Sequence, residues 1–222
     1  MEIAILGAGN VGRALGTGWA RAGHRILFGV NDPEDPKHQG AVLAAGNAAI
    51  GKIAQVVKEA NVLVLAVPWD AVPGVIEQCG SLDEKVILDP TNPLTFGKDG
   101  LELALGFSTS GGEEVAKLAR GAAVFKTMNQ VGSEVMSNAG GFVTRPVMFV
   151  AGDNDERKPL ALQLVNDLGF EAVNAGPLKN ARLLEPYAML WIDQALNRGA
   201  PRDNAFAFMR RDALTGNRAP TR

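Results

Sequence analysis

Short apolar runs alternate along the chain with amphipathic stretches, and each change of period is marked by glycine or by a polar, proline-bearing turn. Residues 2–6 are apolar after Glu2 and stop at Gly7. Residues 11–22 place apolar groups at helical spacing and end before Gly23, and residues 25–30 are apolar again after Arg25. This succession predicts strand, glycine turn, helix, strand, with Asn31 to Pro36 as a polar loop behind it. The alternation continues with a helix over 53–59, a strand over 62–66, a helix over 71–79 and a strand over 86–88. Because these strands are apolar at successive positions, both of their faces must be covered, which predicts a parallel sheet with helices on either side.

Beyond Asp89 the chain turns through Pro90-Thr91-Asn92-Pro93 and is read as a glycine-rich loop from Phe96 to Gly112. A helix over 113–120 follows, with Ser110 and Glu113 spaced as a capping box and Ser110 as its cap. Strands are predicted over 122–125, 147–151 and 170–174, and helices over 156–168 and 178–196. No segment from Gly199 onward has a clear period. The end of the chain, with Arg210, Arg211, Arg218 and Arg222, is read as a helix followed by a frayed basic tail. There is no repeat, linker or break in composition.

The first turn is the most informative segment. In Gly7-Ala8-Gly9-Asn10-Val11-Gly12, Gly7 permits the tight turn, Gly9 lets backbone approach a pyrophosphate, and Gly12 lets the helix lie close on the strand. The free N–H groups of that turn and the positive end of the helix dipole then hold phosphates. A glycine triplet directly after an apolar strand and directly before a helix is the fingerprint of a dinucleotide site. The expected fold is therefore α/β: a Rossmann, doubly wound, mostly parallel sheet, with residues 1–150 as the NAD(P)-binding domain and residues 151–222 as a small C-terminal α/β lobe extending the sheet.

Asp32 lies about 20 residues past Gly12, where an acid bonds the ribose of NAD. It also stands before Pro33, where it would start a turn. Asn31, Lys37 and His38 are placed to surround a 2′-phosphate instead. The pattern leaves both cofactors open.

With 22 Lys+Arg against 24 Asp+Glu and a formal charge of −2, bulk charge would hold the chain to neither nucleic acid nor an anionic membrane. Cys79 is the only cysteine and His24 and His38 the only histidines, which rules out an internal disulfide and argues against a metal site. The first apolar run ends at Gly7, too short for a signal peptide or a membrane span. A soluble, cytoplasmic chain is expected.

Proton donors are scarce. The only tyrosine is Tyr187, with Trp191 four residues on, so the Tyr/Lys pair of short-chain dehydrogenases is missing. Both histidines precede Gly40, which excludes a histidine acid from the second half, and His24 reads as structural. A hydride acceptor that needs no strong protein acid, such as a flavin-like ring, fits this composition.

Ligands of such sheets lie beyond the carboxyl ends of the strands. Three segments fall there: Ala66-Val67-Pro68-Trp69, Asp89-Pro90-Thr91-Asn92-Pro93 and Lys126-Thr127-Met128-Asn129-Gln130. Ala66, Val67 and Pro68 are expected against a nicotinamide, while Trp69 either joins them or packs. Thr91 and Asn92 either touch the ligand or only build the turn. Lys126 either donates a proton or is an ion-paired strand end, and Asn129 is placed to bond the carboxamide or the acceptor. Lys126 and Asn129 are thus the catalytic candidates, and Gly7, Gly9, Asn10, Val11, Gly12, Asn31, Lys37, His38, Ala66, Val67, Pro68, Asn92 and Asn129 the cofactor-binding ones.

With these residues assembled, the chain resembles the NADPH-dependent coenzyme F420 reductases, a group that includes the cytosolic domains of six-transmembrane metalloreductases. The resemblance rests on the glycine turn, Phe28-Gly29, Ala66-Val67-Pro68-Trp69, Ala151-Gly152-Asp153, Asp167-Leu168-Gly169-Phe170, Ala175-Gly176-Pro177-Leu178 and Ala181-Arg182-Leu183-Leu184-Glu185. It implies a Rossmann domain with a small C-terminal lobe, a homodimer, NADP rather than NAD, and F420, FMN or FAD as the small-molecule acceptor; the apolar helix Leu183 to Leu196 itself reads either as the dimer face or as a cap on the sheet. Family members follow the equivalent of Gly29 with Ser or Thr and then Arg, where this chain has Val30 and Asn31; F420 enzymes of archaea have histidine where Asn129 stands. A non-catalytic NADP-sensing module and an imine or ketone reductase using Lys126 are the alternatives.

Overall fold

The computed structural model describes residues 1–98 and 100–211. β1 (Glu2–Leu6), α1 (Asn10–Arg21) and β2 (Arg25–Val30) form the opening unit. A 3-10 turn at Pro36–His38 leads into α2 (Gln39–Ala45), β3 (Ala48–Lys52), α3 (Ile53–Glu59) and β4 (Val62–Leu65). Next come α4 (Val72–Cys79), β5 (Val86–Asp89), the hairpin strands β6 (Leu94–Gly97) and β7 (Gly100–Leu103), α5 (Gly111–Leu118), β8 (Ala123–Lys126) and the one-turn α6 (Ser133–Met136). β9 (Val147–Gly152), α7 (Lys158–Asp167), β10 (Glu171–Asn174) and α8 (Ala181–Asn197) complete the described elements.

Eight of the described strands make one sheet in the order β10-β9-β8-β5-β4-β1-β2-β3. From β8 to β3 all neighbours are parallel. β9 runs antiparallel to β8, and β10 follows β9 in parallel. This is the doubly wound α/β fold with a mostly parallel sheet, as expected. Chain order reverses at β1, where β2 and β3 lie to one side and β4 and β5 to the other, and such a reversal opens a crevice at the strand tips.

The continuous apolar runs are explained by the two cores. Ile3, Ile5, Ile26, Phe28, Val62 and Val64 point to one face and pack with Leu15 and Trp19 of α1. Their neighbours Ala4, Leu6, Leu27, Leu63 and Leu65 point to the other, against Val56 and Val57 of α3 and Val72, Val75 and Ile76 of α4. Alternate residues thus serve opposite cores, each large aliphatic group contributing about 1.5–3 kcal/mol of burial against the cost of ordering it. The Trp19 Nε1–H donates to the Leu164 carbonyl at 2.8 Å, tying α1 to α7.

Two expectations need correction. The segment from Phe96 to Gly112 is not only loop: β6 and β7 pair in it as an antiparallel hairpin. Leu94 and Leu101 are half-buried while Phe96 is 86% exposed, so the hairpin buries too little for its pattern to show. Residues 36–52, given no element beyond the loop, contain α2 and the edge strand β3. Of the helix expected at the end of the chain, Arg211 is helical and the remainder lies outside the described residues, while residues 201–210 before it are irregular. They are pinned by Trp191 Nε1–H to the Asn204 carbonyl at 3.0 Å, Val147 N–H to the Phe206 carbonyl at 2.9 Å, and Arg210 to Glu171 at 2.8 Å. The rest of the expected basic tail, including Arg218 and Arg222, lies outside the described residues. No helix among the described residues is long and apolar enough to cross a membrane.

Candidate functional site

The opening turn is built around its glycines. Gly7 has φ +110°, and a Cβ there would strike the carbonyl oxygen of Ala66; a Cβ on Gly12 would strike that of Gly7. At Gly9, by contrast, a Cβ would meet nothing within 4 Å. Gly7 and Gly12 are therefore fixed by the protein's own packing, while the space over Gly9 is open, as a cradle for a diphosphate requires. α1 begins at Asn10 with no side-chain cap and no acid in its first turn, so its first N–H groups have no helical acceptor and keep their positive potential for an anion. These residues fit a dinucleotide. Ala66 lies beneath the turn, its N–H donating to the Leu6 carbonyl at 2.9 Å.

Two cavities flank the turn. One, of about 230 Å³, lies toward β2 and is lined by Gly7, Ala8, Asn31, Asp32, Lys37 and His38, with Val67 at its floor. Asn31, Lys37 and His38 are thus brought together. Lys37 Nζ lies 2.6 Å from Asp35 Oδ2. That bond raises the Lys37 ammonium and holds the Asp35 carboxyl below their ordinary values. Asp32 accepts the Glu34 N–H at 3.1 Å, the turn-forming bond its sequence context suggests, although it also lines this cavity.

The second cavity, of about 340 Å³, joins Asn10 and Val11 to Asn92 and Asn129. The diphosphate candidates and the nicotinamide candidates therefore share a wall. Val67, Pro68, Trp69 and Asn92 line a further hollow of about 560 Å³ under Phe96 of the hairpin. Asn129, 4% exposed, donates through Nδ2 to Asn92 Oδ1 at 3.0 Å, and Asn92 Nδ2 donates to the Asn129 carbonyl at 3.1 Å.

Four parts of the 340 Å³ wall were not read from the sequence: Ser133 and Met136 of α6, the hairpin's Leu94 and Leu101, Trp191 and Ile192 of α8, and Arg202. Arg202 is held by Glu134 at 2.6 Å. Its partner is far away along the chain, so no local spacing announces it.

Lys126 does not reach these cavities. Its ammonium, 0% exposed, lies 2.7 Å from Asp89 Oδ2, 3.1 Å from Glu185 Oε1 and 2.7 Å from the Thr91 carbonyl. All three protons of the ammonium are occupied. Glu185, 1% exposed, also accepts the N–H groups of Gly111 and Gly112, each at 2.9 Å, and so caps α5. Asp89 Oδ1 accepts the Thr91 N–H at 3.0 Å and hydroxyl at 2.6 Å. The cluster fixes the turn that carries Asn92 and is the ion-paired arrangement weighed for Lys126.

Other ionisable groups stand apart from the chemistry. Burial pushes the Tyr187 phenol up to about 12 and the Cys79 thiol up to about 11. His24 Nε2 pairs with Asp167 at 3.0 Å, bridging α7 to the start of β2. Among the described residues no group of three or more histidines, cysteines or acids is placed to hold a metal ion.

Comparison with known proteins agrees with this geometry. The family described as "NADP oxidoreductase coenzyme F420-dependent" matches residues 2–93. The chain is similar to a structure from Arthrobacter sp. FB24 described as a candidate F420-dependent NADP reductase, with 26% identity over 94% of this chain and 99% of that one and a TM-score of 0.83. It is also similar to a hypothetical protein of Sinorhizobium meliloti (22% identity, 83% and 90% covered, TM-score 0.74). A reductive aminase of Aspergillus terreus, solved with NADPH and ethyl levulinate, shares the fold at 19% identity (89% and 62% covered, TM-score 0.61).

Proposed function

We propose that the chain, whose residues 2–93 match the family of F420-dependent NADP oxidoreductases, moves a hydride between nicotinamide C4 of NADP(H) and a flavin-like or deazaflavin ring of the F420 type. One observation carries this reading: the 340 Å³ cavity beside the glycine turn is walled by apolar groups, amides, one hydroxyl and a paired arginine. Reduction of a ketone or imine draws on a placed proton donor. A conjugated ring accepts the hydride within its own π-system, so the protein supplies position and water exclusion.

In this reading the N–H groups of Gly9, Asn10, Val11 and Gly12 hold the diphosphate, while Gly7, whose N–H donates to the Gly29 carbonyl at 2.9 Å, shapes the turn beneath it. Asn31, Lys37 and His38 take the adenosine end and its 2′-phosphate. Ala66, Val67, Pro68, Asn92 and Asn129 line the nicotinamide, and Trp191 and Met136 face the acceptor. Lys126 is assigned no proton transfer, which sets the imine-reductase alternative aside. The exposed Leu183 and Leu190 of α8 are taken as the face of a homodimer.

The test is calorimetric titration with NADPH and NADH, followed by hydride-transfer assays with F420, FMN, FAD and ferric chelates. Tighter binding of NADPH and turnover with a ring acceptor are expected. Tighter binding of NADH would overturn the adenosine-end assignment. Binding without oxidation by any acceptor would favour an NADP-sensing module.

A further inference from the structure

Gln130 is fully buried and takes no part in the reading above. We infer that it is a positioning residue: it fixes the orientation of the Asn92–Asn129 pair so that the pair reads the amide edge of a ligand. The inference rests on that reading, in which the 340 Å³ cavity receives the nicotinamide and its acceptor.

The orientation follows from groups whose polarity cannot change. The Phe149 N–H donates to Gln130 Oε1 at 3.0 Å, and Gln130 Nε2 donates to the Phe149 carbonyl at 3.1 Å. A backbone amide cannot be turned over, so the Gln130 amide has one orientation. Its second Nε2 hydrogen goes to Asn129 Oδ1 at 3.0 Å. Asn129 Nδ2 is thereby turned toward the Leu184 carbonyl at 3.3 Å and Asn92 Oδ1 at 3.0 Å. Asn92 Nδ2 then gives one hydrogen to the Asn129 carbonyl at 3.1 Å. The three side chains are each anchored to a backbone group, at Phe149, Leu184 and Asn129.

Among the described residues, Asn92 Nδ2 keeps one hydrogen, and Asn129 Oδ1 and Asn92 Oδ1 each keep one acceptor position. Both residues line the same cavity. A group offering C=O beside N–H satisfies both at once. A methyl ketone leaves Asn129 Oδ1 unanswered, and a carboxylate sets acceptor against acceptor. The nicotinamide carboxamide and the pyrimidinedione edge of a flavin-type ring share this chemistry.

The experiment compares NADP⁺ with its 3-acetylpyridine analogue, in which a methyl ketone replaces the carboxamide, by calorimetric titration of the full chain. In parallel it compares a flavin with its N3-methyl derivative as hydride acceptor. Discrimination of about tenfold, the effect of one lost hydrogen bond, is expected in one of the two pairs, and which pair shows it tells whether the edge belongs to the cofactor or to the acceptor. In Gln130→Met the ratio should fall, because Asn129 Oδ1 loses the donor that fixes it and the amide is held from its Nδ2 side alone, by the Leu184 carbonyl and Asn92 Oδ1. Gln130→Glu, assayed at alkaline pH, keeps the Phe149 N–H partner but sets an oxygen against Asn129 Oδ1, and should lose the ratio as well. A ratio near one for both pairs in the unaltered protein, with binding intact, would overturn the inference alone. A ratio kept in either folded variant would overturn the role of Gln130. Absence of binding by both dinucleotides would remove the inference and the cavity reading together.

Discussion

Glu185 on α8 and Lys126 at the end of β8 meet at 3.1 Å in full burial, so α8 is fastened to the sheet by a charge pair that solvent does not reach. Lys126 also neutralises Asp89 at 2.7 Å. Replacing it by methionine would leave two carboxylates facing one another without compensation. Lys126→Met should therefore lose about 3–5 kcal/mol of stability in urea unfolding, and adding Glu185→Gln should restore part of that loss. A loss below about 1 kcal/mol would show that the cluster contributes little.

Gly9 separates binding from folding. A side chain there meets no protein atom, and an acid at the start of α1 suits the helix dipole. Gly9→Asp should keep or raise the melting temperature while weakening NADPH binding by about a hundredfold, since the carboxylate would occupy and repel the diphosphate position. A variant that melts early, or that binds normally, would contradict this account of the turn.

Lys37 is assigned to the 2′-phosphate. Its side chain is 68% exposed and already paired with Asp35, so its effect on an anion is screened. Lys37→Ala should reduce NADPH affinity by about fivefold and leave NADH affinity unchanged. Equal losses for both cofactors would move the phosphate elsewhere in the cavity.

The Glu113 carboxyl of α5 is held below its ordinary 4.5 by hydrogen bonds from Arg182, with the Ser110 hydroxyl adding to the effect. Arg182 Nε and Nη2 reach it at 2.8 Å and 2.6 Å. A carboxylate depressed in the folded state stabilises fully above its unfolded value. That contribution disappears as pH falls below 4.5 and through the folded value. Glu113→Gln should flatten the acid limb of the stability curve in that window and leave its slope near neutrality unchanged. The flattening is partial, because Glu134, lowered in the same way by Arg202, titrates alongside. An unchanged acid limb would show that the pair does not couple α5 to α8.

The elements legible in the sequence are those whose burial is periodic. The helix read over 53–59 coincides with α3, and the apolar runs of β1, β2, β4 and β5 appear because both faces of each strand are covered. β3 is a half-buried edge strand of alanine, isoleucine and glycine, and the hairpin carries its largest side chain, Phe96, in solvent; neither produces a pattern. The site divides along the same line. The turn from Gly7 to Gly12 is local in sequence, so its chemistry shows in spacing. Arg202 with Glu134, Glu185 with Gly111, and Gln130 with Phe149 are long-range pairs that only the assembled sheet brings into contact.

Because β9 runs against β8, the tips of β9 and β10 point to the rim opposite the crevice, and α8 is the element of residues 151–197 that returns to line the 340 Å³ cavity. Under the proposed function, choice of dinucleotide and choice of reaction partner are written on separate stretches of chain. On that proposal, exchanging Trp191, Ile192 or Leu196 would recast the far wall of this cavity without disturbing the glycine turn, a modularity through which one scaffold could diversify its reaction partners.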